Sequence, residues 1–542
     1  MNKKMMQGTF WLTFANLLCK VLGVIYLIPW ISMMGNNHDG MVATTLFNVA
    51  YLPYGLFLML GTVGFPNAIA KKVAVASTKE DSQKECRTIF RSTVNIMYTI
   101  GIISAILMFI FAPALASISP VADVESGTLA IRSLCPSLIA IPVLSSMRGY
   151  FQGKNNLHPY GTSLILEQIV RVIVILMGTY YLRVLTDGTI LQAVIISTVA
   201  SFFGGLAAII QMYHLGKKNG YFVLSDFLIS VKAFGKENRE DSVSIIRETL
   251  PFIFVGSIIT IVQMIDQVTL KPLLHFFHPS ITDQQLEFLF SRASVNPNKL
   301  TLILISMVGT VAISSLPILS TLRKGQRKQI EKTLGDSFSI AFLILFPSMA
   351  GMALLASPMY TLFFGYDPNS VGYFQLAIFA SLFFSLFTIL ATMTQSLNHH
   401  RVAVRLTIES VILKVIFQVI FIALFGGYGM NLSNGVAFAI VFVRGYSYLC
   451  KEYRISPFKQ IQTVFYKIFR STLIMLVVCI ALFFALHMKL SLASKTNAMI
   501  YIAVIGLVGA SVFIGLQYGR EALVILSKIK GRFSGKTSSV NE

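Results

Sequence analysis

The chain has 542 residues, of which 55% are hydrophobic and only 12% are charged, and its mean hydropathy is +0.71. A core in water cannot bury that much apolar surface, so the composition excludes a soluble globular protein and indicates an integral membrane protein. The net charge of +21 would suit nucleic-acid binding, but most Lys and Arg lie in alternate gaps between apolar segments. That distribution is typical of a membrane protein.

Apolar stretches long enough to cross a bilayer follow one another along the chain. A helix needs about 20 residues to cross roughly 30 Å of hydrocarbon. The stretches are apolar on every face and do not alternate, which predicts helices and excludes barrel strands. The predicted fold class is therefore an all-α integral membrane protein with fourteen transmembrane helices. The predicted spans are 9–34, 42–67, 88–114, 127–151, 160–184, 190–214, 249–275, 298–320, 335–363, 372–397, 403–425, 429–449, 468–488 and 497–518.

The basic gaps fall on the same side of the membrane as the N-terminus, which predicts that both termini lie in the cytoplasm. A long basic gap follows the sixth span, and six more spans precede the last two. We therefore expect two six-helix lobes and two extra helices. The predicted regions are an N-terminal lobe at 1–214, a cytoplasmic linker at 215–248, a C-terminal lobe at 249–449, helices 13 and 14 at 450–518, and a cytoplasmic basic tail at 519–542.

A weak internal repeat supports two pseudo-symmetric lobes. Residues that follow the fourth and tenth spans, and residues in the next span of each lobe, match at an offset of 243. Paired halves with a site between them are a transporter architecture, whereas chance similarity between two apolar segments is the alternative. The matching pairs are Gln152 and Gln395, Asn155 and Asn398, and Arg171 and Lys414.

Three basic residues lie at mid-depth in the membrane, where a charge needs water or a counter-charge. Lys20, Arg171 and Lys414 are each about 12 residues, hence roughly 18 Å, from the cytoplasmic end of their span. Glu167 precedes Arg171 by four residues, the favoured spacing of an intrahelical ion pair. Lys20 and Lys414 have no such partner in their own spans. A water-filled cavity or an anionic ligand would explain these bases.

The predicted substrate-binding residues are Lys20, Arg171, Lys414, Glu167 and Arg132. Two alternatives stay open. Glu167 and Arg171 can neutralise each other and serve only to pack the two lobes together. Arg132 lies nearer the end of its span and can extend its guanidinium to the membrane interface.

Two acidic residues inside the spans, Asp266 and Glu409, are predicted as ion-coupling residues for Na⁺ or H⁺. Na⁺ at Asp266 is the one metal that we expect, and the alternative is that each carboxylate hydrogen-bonds a neighbouring helix. No catalytic residue and no cofactor are predicted, because no gap resembles an active site for bond-making chemistry. The five cysteines form neither a C-x-x-C pair nor a zinc signature.

Two segments carry a family resemblance. They are Arg148-Gly149-Tyr150-Phe151-Gln152-Gly153 with Pro159, Ser163, Glu167-Gln168 and Arg171, and the N-terminal Gln7-Gly8-Thr9 with Lys20-Val21-Leu22-Gly23. The first resembles the pattern R-G-x-x-Q-G…P…S…E-Q-x-x-R of bacterial polysaccharide exporters and MurJ/MviN-type flippases, and the second resembles the opening of that family. The likeness extends over essentially the whole chain. It is strongest for the Gram-positive branch that flips lipid II, the undecaprenyl-pyrophosphate-linked peptidoglycan precursor.

The resemblance implies the fold of the multidrug/oligosaccharidyl-lipid/polysaccharide exporter superfamily, in which two lobes surround a cationic cavity and work by alternating access. It implies Lys20 in the cavity wall, where relatives carry Arg, and a groove for the lipid tail at helices 13 and 14. It also implies Na⁺ near Asp266, as in some members. This chain differs from Gram-negative members because its second span, 42–67, has no charged residue.

We accordingly expect a flippase of the bacterial cytoplasmic membrane that serves cell-wall synthesis and cell shape. Its expected partners are a lipid-linked saccharide, membrane lipids and the cell-wall synthesis machinery, without nucleic acid. The alternatives are a flippase for another lipid-linked polysaccharide unit, a drug or cation antiporter of the same fold, and a multispan glycosyltransferase or polymerase. An antiporter would need cavity acids rather than bases, and a transferase would need a larger outer domain.

Overall fold

The computed structural model describes residues 3–35, 37–62, 64–78, 82–227, 253–322 and 325–534, and no strand occurs among them. The all-α fold class is therefore confirmed. Parts of the predicted linker and of the predicted tail lie outside the described residues. In chain order the helices are α1 (Lys3–Ile25), α2 (Leu27–Met34), α3 (Asn37–Thr62), α4 (Phe65–Ala76), α5 (Ser82–Ile118), α6 (Val124–Ser133), α7 (Cys135–Gly153), α8 (His158–Tyr180), α9 (Ile190–Lys218), α10 (Ile258–Phe277), α11 (Asp283–Phe290), α12 (Asn296–Thr321), α13 (Arg327–Leu354), α14 (Ala356–Phe364), α15 (Pro368–Ser396), α16 (His400–Phe425), α17 (Tyr428–Tyr453), α18 (Pro457–His487) and α19 (Lys495–Ser534).

Every predicted span overlaps at least one of these helices. Within the described residues, 11 stretches are long and apolar enough to cross a membrane, so the count of fourteen stays a prediction. Some predicted spans consist of two consecutive helices. The fourth is divided at Leu134, and Pro136 occupies the second position of α7. Proline is tolerated in the first turn of a helix but cannot donate the hydrogen bond that would continue the preceding one.

Backbone contacts divide the chain into two compact units. The first consists of Met1–Ile303 and His399–Val441, and the second of Leu304–Asn398 and Phe442–Glu542. In the first unit α8 packs along α9 and α1, while α7 packs against α4 and α5. In the second unit α13 packs along α18, and α19 packs against α14 and α18. The lobe boundaries that the sequence suggested stay a prediction.

Aromatic rings fill the core of each unit. In the first unit Phe90 stacks on Phe222 with 4.3 Å between ring centroids, and Tyr150 meets both rings edge-on. In the second unit Phe338 stacks on Phe458 at 5.5 Å. Each aromatic pair contributes about 0.5–1.5 kcal/mol beyond the apolar area that it buries. These contacts join helices that are distant in sequence.

The two matched positions of the repeat have the same local backbone structure. Asn155 and Asn398 both adopt a left-handed conformation, with φ of 55° and 63°. Each backbone N–H donates to the carbonyl of the residue three positions earlier, Gln152 and Gln395, at 3.0 Å in both cases. Asparagine is among the residues that tolerate this conformation after a helix end. The repeat is therefore structural as well as sequential.

Two glycines of the family motif bring α7 and α4 into close contact. A Cβ atom on Gly149 would lie 2.8 Å from the carbonyl oxygen of Pro66, and one on Gly153 would lie 2.8 Å from the carbonyl oxygen of Ala70. Small residues four positions apart allow membrane helices to approach at the level of their backbones. Gly149 and Gly153 are therefore packing residues.

Replacement of Gly153 by alanine is expected to destabilise the protein by about 1–3 kcal/mol, because the obstructing atom belongs to a backbone. The matched control is Gly506→Ala in α19, where an added Cβ meets nothing within 4 Å among the described residues. Thermal unfolding in detergent measures both variants. The packing assignment is contradicted if G153A unfolds at the same temperature as the wild type and G506A.

Candidate functional site

Lys20 lies on the exposed side of α1, beside an apolar face. At about 100° per residue, exposed Phe14, Leu17 and Val21 fall within roughly 60° of one another. Exposed Asn16 and Lys20 lie about 90–130° to one side of that arc. The exposed surface of α1 thus has an apolar part suited to lipid and a polar part suited to water.

The other side of α1 packs on α8. Ala15 is fully buried, and the Cys19 thiol donates to the Leu164 carbonyl oxygen at 3.3 Å. The polar arc with Lys20 therefore lies between the packed side and the apolar arc. No hydrogen bond or ion pair forms on Lys20 within the described part of the chain. Its ammonium group therefore has no counter-charge there, and its place in a cavity stays a prediction.

Arg148, Glu167 and Arg171 form a compact charged cluster on α7 and α8. Glu167 accepts from the Arg148 guanidinium through Oε2 and from the Arg171 guanidinium through Oε1, both at 2.8 Å. The Arg148 Nε atom also donates to the Ser163 hydroxyl at 2.9 Å. One carboxylate thus serves two guanidinium groups and leaves a net charge of +1. The open alternative of a self-neutralised Glu167–Arg171 pair does not describe this cluster, because Arg148 restores the positive charge.

Arg171 keeps donors that no group in the described residues accepts. Its Nε atom is buried without a hydrogen-bond partner there, and its side chain is 22% exposed. Tyr26, Tyr51 and Tyr54 lie close enough to interact electrostatically with the guanidinium. A guanidinium carries five N–H donors in a planar fork, which matches phosphate and carboxylate geometry. Arg171 is therefore able to bind an anion while it stays bonded to Glu167.

Lys414 is fully buried in an ion pair with Asp266. Its ammonium group donates to Asp266 Oδ1 at 2.7 Å, to the Met430 carbonyl oxygen at 2.9 Å and to the Ser433 hydroxyl at 2.8 Å. All three N–H donors of the ammonium are therefore used. Lys414 and Asp266 are 0% and 1% exposed. This differs from the expectation that Lys414 lacks a counter-charge: the partner comes from α10 rather than from its own helix.

The remaining predicted residues have local partners. Arg132 lies over the Phe109 ring at 4.3 Å and donates to the Phe109 carbonyl oxygen at 3.3 Å, on an exposed apolar surface of α5. This geometry corresponds to the interfacial alternative for Arg132. Glu409 accepts from Arg405 at 3.1 Å, one helical turn away. Asp266 thus binds a base on a neighbouring helix, whereas Glu409 binds one on its own helix. A role of either carboxylate in ion coupling stays a prediction.

Sequence analysis missed Lys299, a buried amine at the start of α12. Its Nζ atom has no hydrogen-bond partner among the described residues. It lies 5.9 Å from the Trp30 ring centroid and 5.5 Å from that of Phe47. Aromatic faces attract a cation only weakly compared with a carboxylate. Lys299 is therefore a third basic group available to an anion, after Lys20 and Arg171.

The missed residues carried a signal in the sequence. Arg148 belongs to the family motif and lies within the predicted span 127–151, and Lys299 lies one residue inside the predicted span 298–320. A charge within a membrane span is the signal that both residues share. No group of three metal-ligating side chains occurs among the described residues.

The described residues form a multi-pass helical membrane protein whose helices hold paired charges. A family model described as Polysaccharide biosynthesis protein matches residues 5–275, half of the chain. The chain therefore belongs to the polysaccharide biosynthesis protein family, as a MurJ/MviN-type member of the exporter superfamily that the resemblance indicated.

Two proteins of Bacillus subtilis strain 168 are similar to this chain in sequence. The chain is 27% identical over 375 residues to lipid II flippase MurJ, and the alignment covers 68% of this chain and 67% of the relative. It is 29% identical over 260 residues to stage V sporulation protein B of the same organism, which covers 47% of each chain. The relatives and neighbours named for an activity are flippases and transporters, and the expectation that the chain is not an enzyme is confirmed.

Solved structures show the same fold. A structure titled lipid II flippase MurJ, inward closed conformation, superposes with a TM-score of 0.65 at 15% identity and covers 95% of this chain and 99% of its own. An inward-facing multidrug resistance MATE family transporter of the MOP superfamily gives a TM-score of 0.59 at 16% identity over 81% of this chain and 96% of its own. At these identities the likeness concerns the fold alone.

Proposed function

We propose that the chain is a flippase that moves an undecaprenyl-pyrophosphate-linked saccharide, specifically lipid II, from the inner to the outer leaflet by alternating access. It works in the cytoplasmic membrane of a bacterium with both termini in the cytoplasm, and it serves peptidoglycan synthesis. The observation that carries this proposal is the uncompensated Lys20 ammonium beside an apolar arc of α1. The 27% identity to a lipid II flippase supports it.

The balance of deep charges favours an anionic cargo. Lys20 and the Arg148–Glu167–Arg171 cluster together carry a net charge of about +2. The Asp266–Lys414 pair is neutral. A drug or metal cation would meet repulsion from this arrangement, whereas a pyrophosphate would supply the missing counter-charge. The lipid-linked saccharide is therefore a better cargo than a cationic drug.

Two basic residues are suited to bind the pyrophosphate directly. Lys20 offers an ammonium without a partner, and Arg171 offers guanidinium donors that Glu167 does not use. Lys299 is a third candidate, since its buried amine has no partner in the described residues. The membrane potential, negative inside, assists outward movement of the head group. A charge near −2 gains about 4–5 kcal/mol per 100 mV if it crosses the whole field.

The Asp266–Lys414 pair affects whether Na⁺ can bind beside Asp266. We infer that the Lys414 ammonium takes the place that a free cation would occupy beside Asp266, because it already bonds three oxygen atoms there. Transport by this chain then does not depend on Na⁺ at Asp266. The remaining driving forces are the membrane potential and the proton gradient.

Lys20→Ala is expected to lower flipping of labelled lipid II in proteoliposomes at least tenfold, since it removes the uncompensated charge. Lys20→Arg should retain activity, because it keeps the positive charge. Val21→Ala, on the adjacent apolar arc, is the matched control and should be neutral. Full activity of K20A, or full complementation of a flippase-depleted strain by it, would refute the assignment.

Lys414→Met is expected to destabilise the protein by roughly 3–5 kcal/mol, because it leaves the Asp266 carboxylate buried without a counter-charge. Na⁺ should raise the unfolding temperature of this variant and leave the wild type unchanged. The double variant D266N/K414M, in which the site is neutral, should regain most of the stability without a response to Na⁺. Stabilisation of the wild type by Na⁺, but not by K⁺ at equal ionic strength, would overturn the inference.

A further inference from the structure

Within the first unit, α10 and α11 meet α3 and the connection between α5 and α6. Gln267 Nε2 donates to the Val49 carbonyl oxygen at 3.3 Å and to the Ser119 hydroxyl at 2.8 Å. The Thr45 hydroxyl donates to the backbone carbonyl oxygen of Glu287 at 3.2 Å. With the N-terminus predicted in the cytoplasm, the gap between the seventh and eighth predicted spans lies on the outer side of the membrane. These contacts around that gap are therefore named the outer interface. They join helices from the two predicted lobes.

The side chain of Glu287 is buried in this interface without a basic partner. The residue is 3% exposed. Its Oε2 atom accepts one long hydrogen bond, from the Ala122 backbone N–H at 3.4 Å. No ion pair forms on Glu287 among the described residues. A buried carboxylate with one weak donor is costly when ionised.

The charged neighbours of Glu287 do not neutralise it. On α10, Lys271 and His275 both bind Asp283, at 3.0 and 2.9 Å. Asp123, in the α5–α6 connection, is near enough to repel an ionised Glu287. Burial raises the pKa of the Glu287 carboxyl to about 7, the charge of Asp123 adds to the rise, and the Ala122 N–H opposes it. The elements around Glu287 carry further titratable and charged groups. They are His38, Asp39, Tyr51 and Tyr54 of α3, Asp123 before α6, Glu125 and Arg132 of α6, Asp266, Lys271 and His275 of α10, Asp283 of α11, and Arg292 directly after α11.

We propose that Glu287 is a proton-binding latch of the outer interface, which closes around the protonated carboxyl and opens when the carboxyl ionises in water. The proposal rests on the alternating access of the proposed function and names a proton site for it. Separation of α11 from Ala122 and α3 would hydrate the carboxyl, which in water titrates near pH 4.3. Closure near neutral pH therefore takes up a proton from the outer side, because the alternative is an unpaired buried charge.

The direction of the pH dependence follows from linkage. The closed-state pKa is about 7 against a usual value of 4.5, so protonation favours the closed state. The ratio of closed to open molecules falls up to about tenfold per pH unit as pH rises from about 4.5 to about 7, and it is constant above that range. Between pH 5.5 and pH 8.5 the expected change is about 30-fold.

The test is a direct measurement of closure in the full chain. Spin labels on cysteines at positions 38 and 284, in a chain without its native cysteines, report the distance between α3 and α11. His38 and Gln284 are exposed, and their Nε2 atoms lie 3.1 Å apart in the closed interface. The cysteine at position 38 also replaces the one imidazole of α3. Titration of His38 therefore cannot cause the pH response. Dipolar broadening should decrease from pH 5.5 to pH 8.5.

Two variants separate the latch from other titrating groups. Glu287→Gln has the shape of the protonated carboxyl and should stay closed at both pH values. Asp123→Asn removes the repelling charge but can still cap α6, where Asp123 accepts from Glu125 and Ser126 backbone N–H groups. In D123N the opening between pH 5.5 and pH 8.5 should be smaller, because the ionised carboxyl no longer meets the Asp123 charge in the closed state. The proposal is overturned if E287Q opens with pH as the labelled parent does, or if the parent shows no pH response.

This outcome is distinguishable from a failure of the proposed function. The spin-label distance reports closure without cargo, whereas flipping of labelled lipid II reports the cargo. A pH-dependent closure that E287Q abolishes, together with no lipid II flipping, would retain the latch and remove the cargo assignment. Flipping of lipid II together with an interface distance that does not change with pH would retain the cargo assignment and remove the latch.

Discussion

The cost of a charge inside a bilayer is the constraint on which the rest of this structure depends. A charged side chain at the membrane centre must meet an opposite charge, hydrogen-bonding partners or water. Arg148, Glu167 and Arg171 satisfy the constraint in a cluster, and Asp266 and Lys414 satisfy it as a pair. Lys20 has neither an opposite charge nor a hydrogen-bonding partner in the described residues. Water or an anionic ligand is the remaining partner for its ammonium group.

The matched positions of the predicted repeat carry charge differently. Asn155 and Asn398 share an unusual backbone conformation, which supports the repeat. At the matched positions Arg171 belongs to a cluster of net charge +1, whereas Lys414 is fully compensated by Asp266. The cluster in the first half therefore keeps a positive charge, whereas the Asp266–Lys414 pair in the second half is neutral. This asymmetry suits the anionic cargo that we propose.

Sequence patterns predicted the features that depend on residues close to one another in the chain. Apolar length located the helices, and the four-residue spacing of Glu167 and Arg171 predicted their contact. The partner of Lys414 was not predictable in this way, because Asp266 lies 148 positions away and its approach depends on how α10, α16 and α17 pack. The orphaned amine of Lys299 was overlooked for a simpler reason, since it stands at the edge of its apolar run. The burial of Glu287 likewise arises only when α11 meets the α5–α6 connection.

If Lys20 faces water inside the membrane, as we propose, a thiol in its place is accessible from water. In a chain without native cysteines, a cysteine at position 20 or at position 21 is exposed to a small, charged, membrane-impermeant thiol reagent. We expect rapid modification at position 20, protection there by lipid II, and little reaction at position 21 on the apolar arc. Equal and negligible reaction at both positions would contradict it, because Lys20 would then lie in lipid or in dry protein.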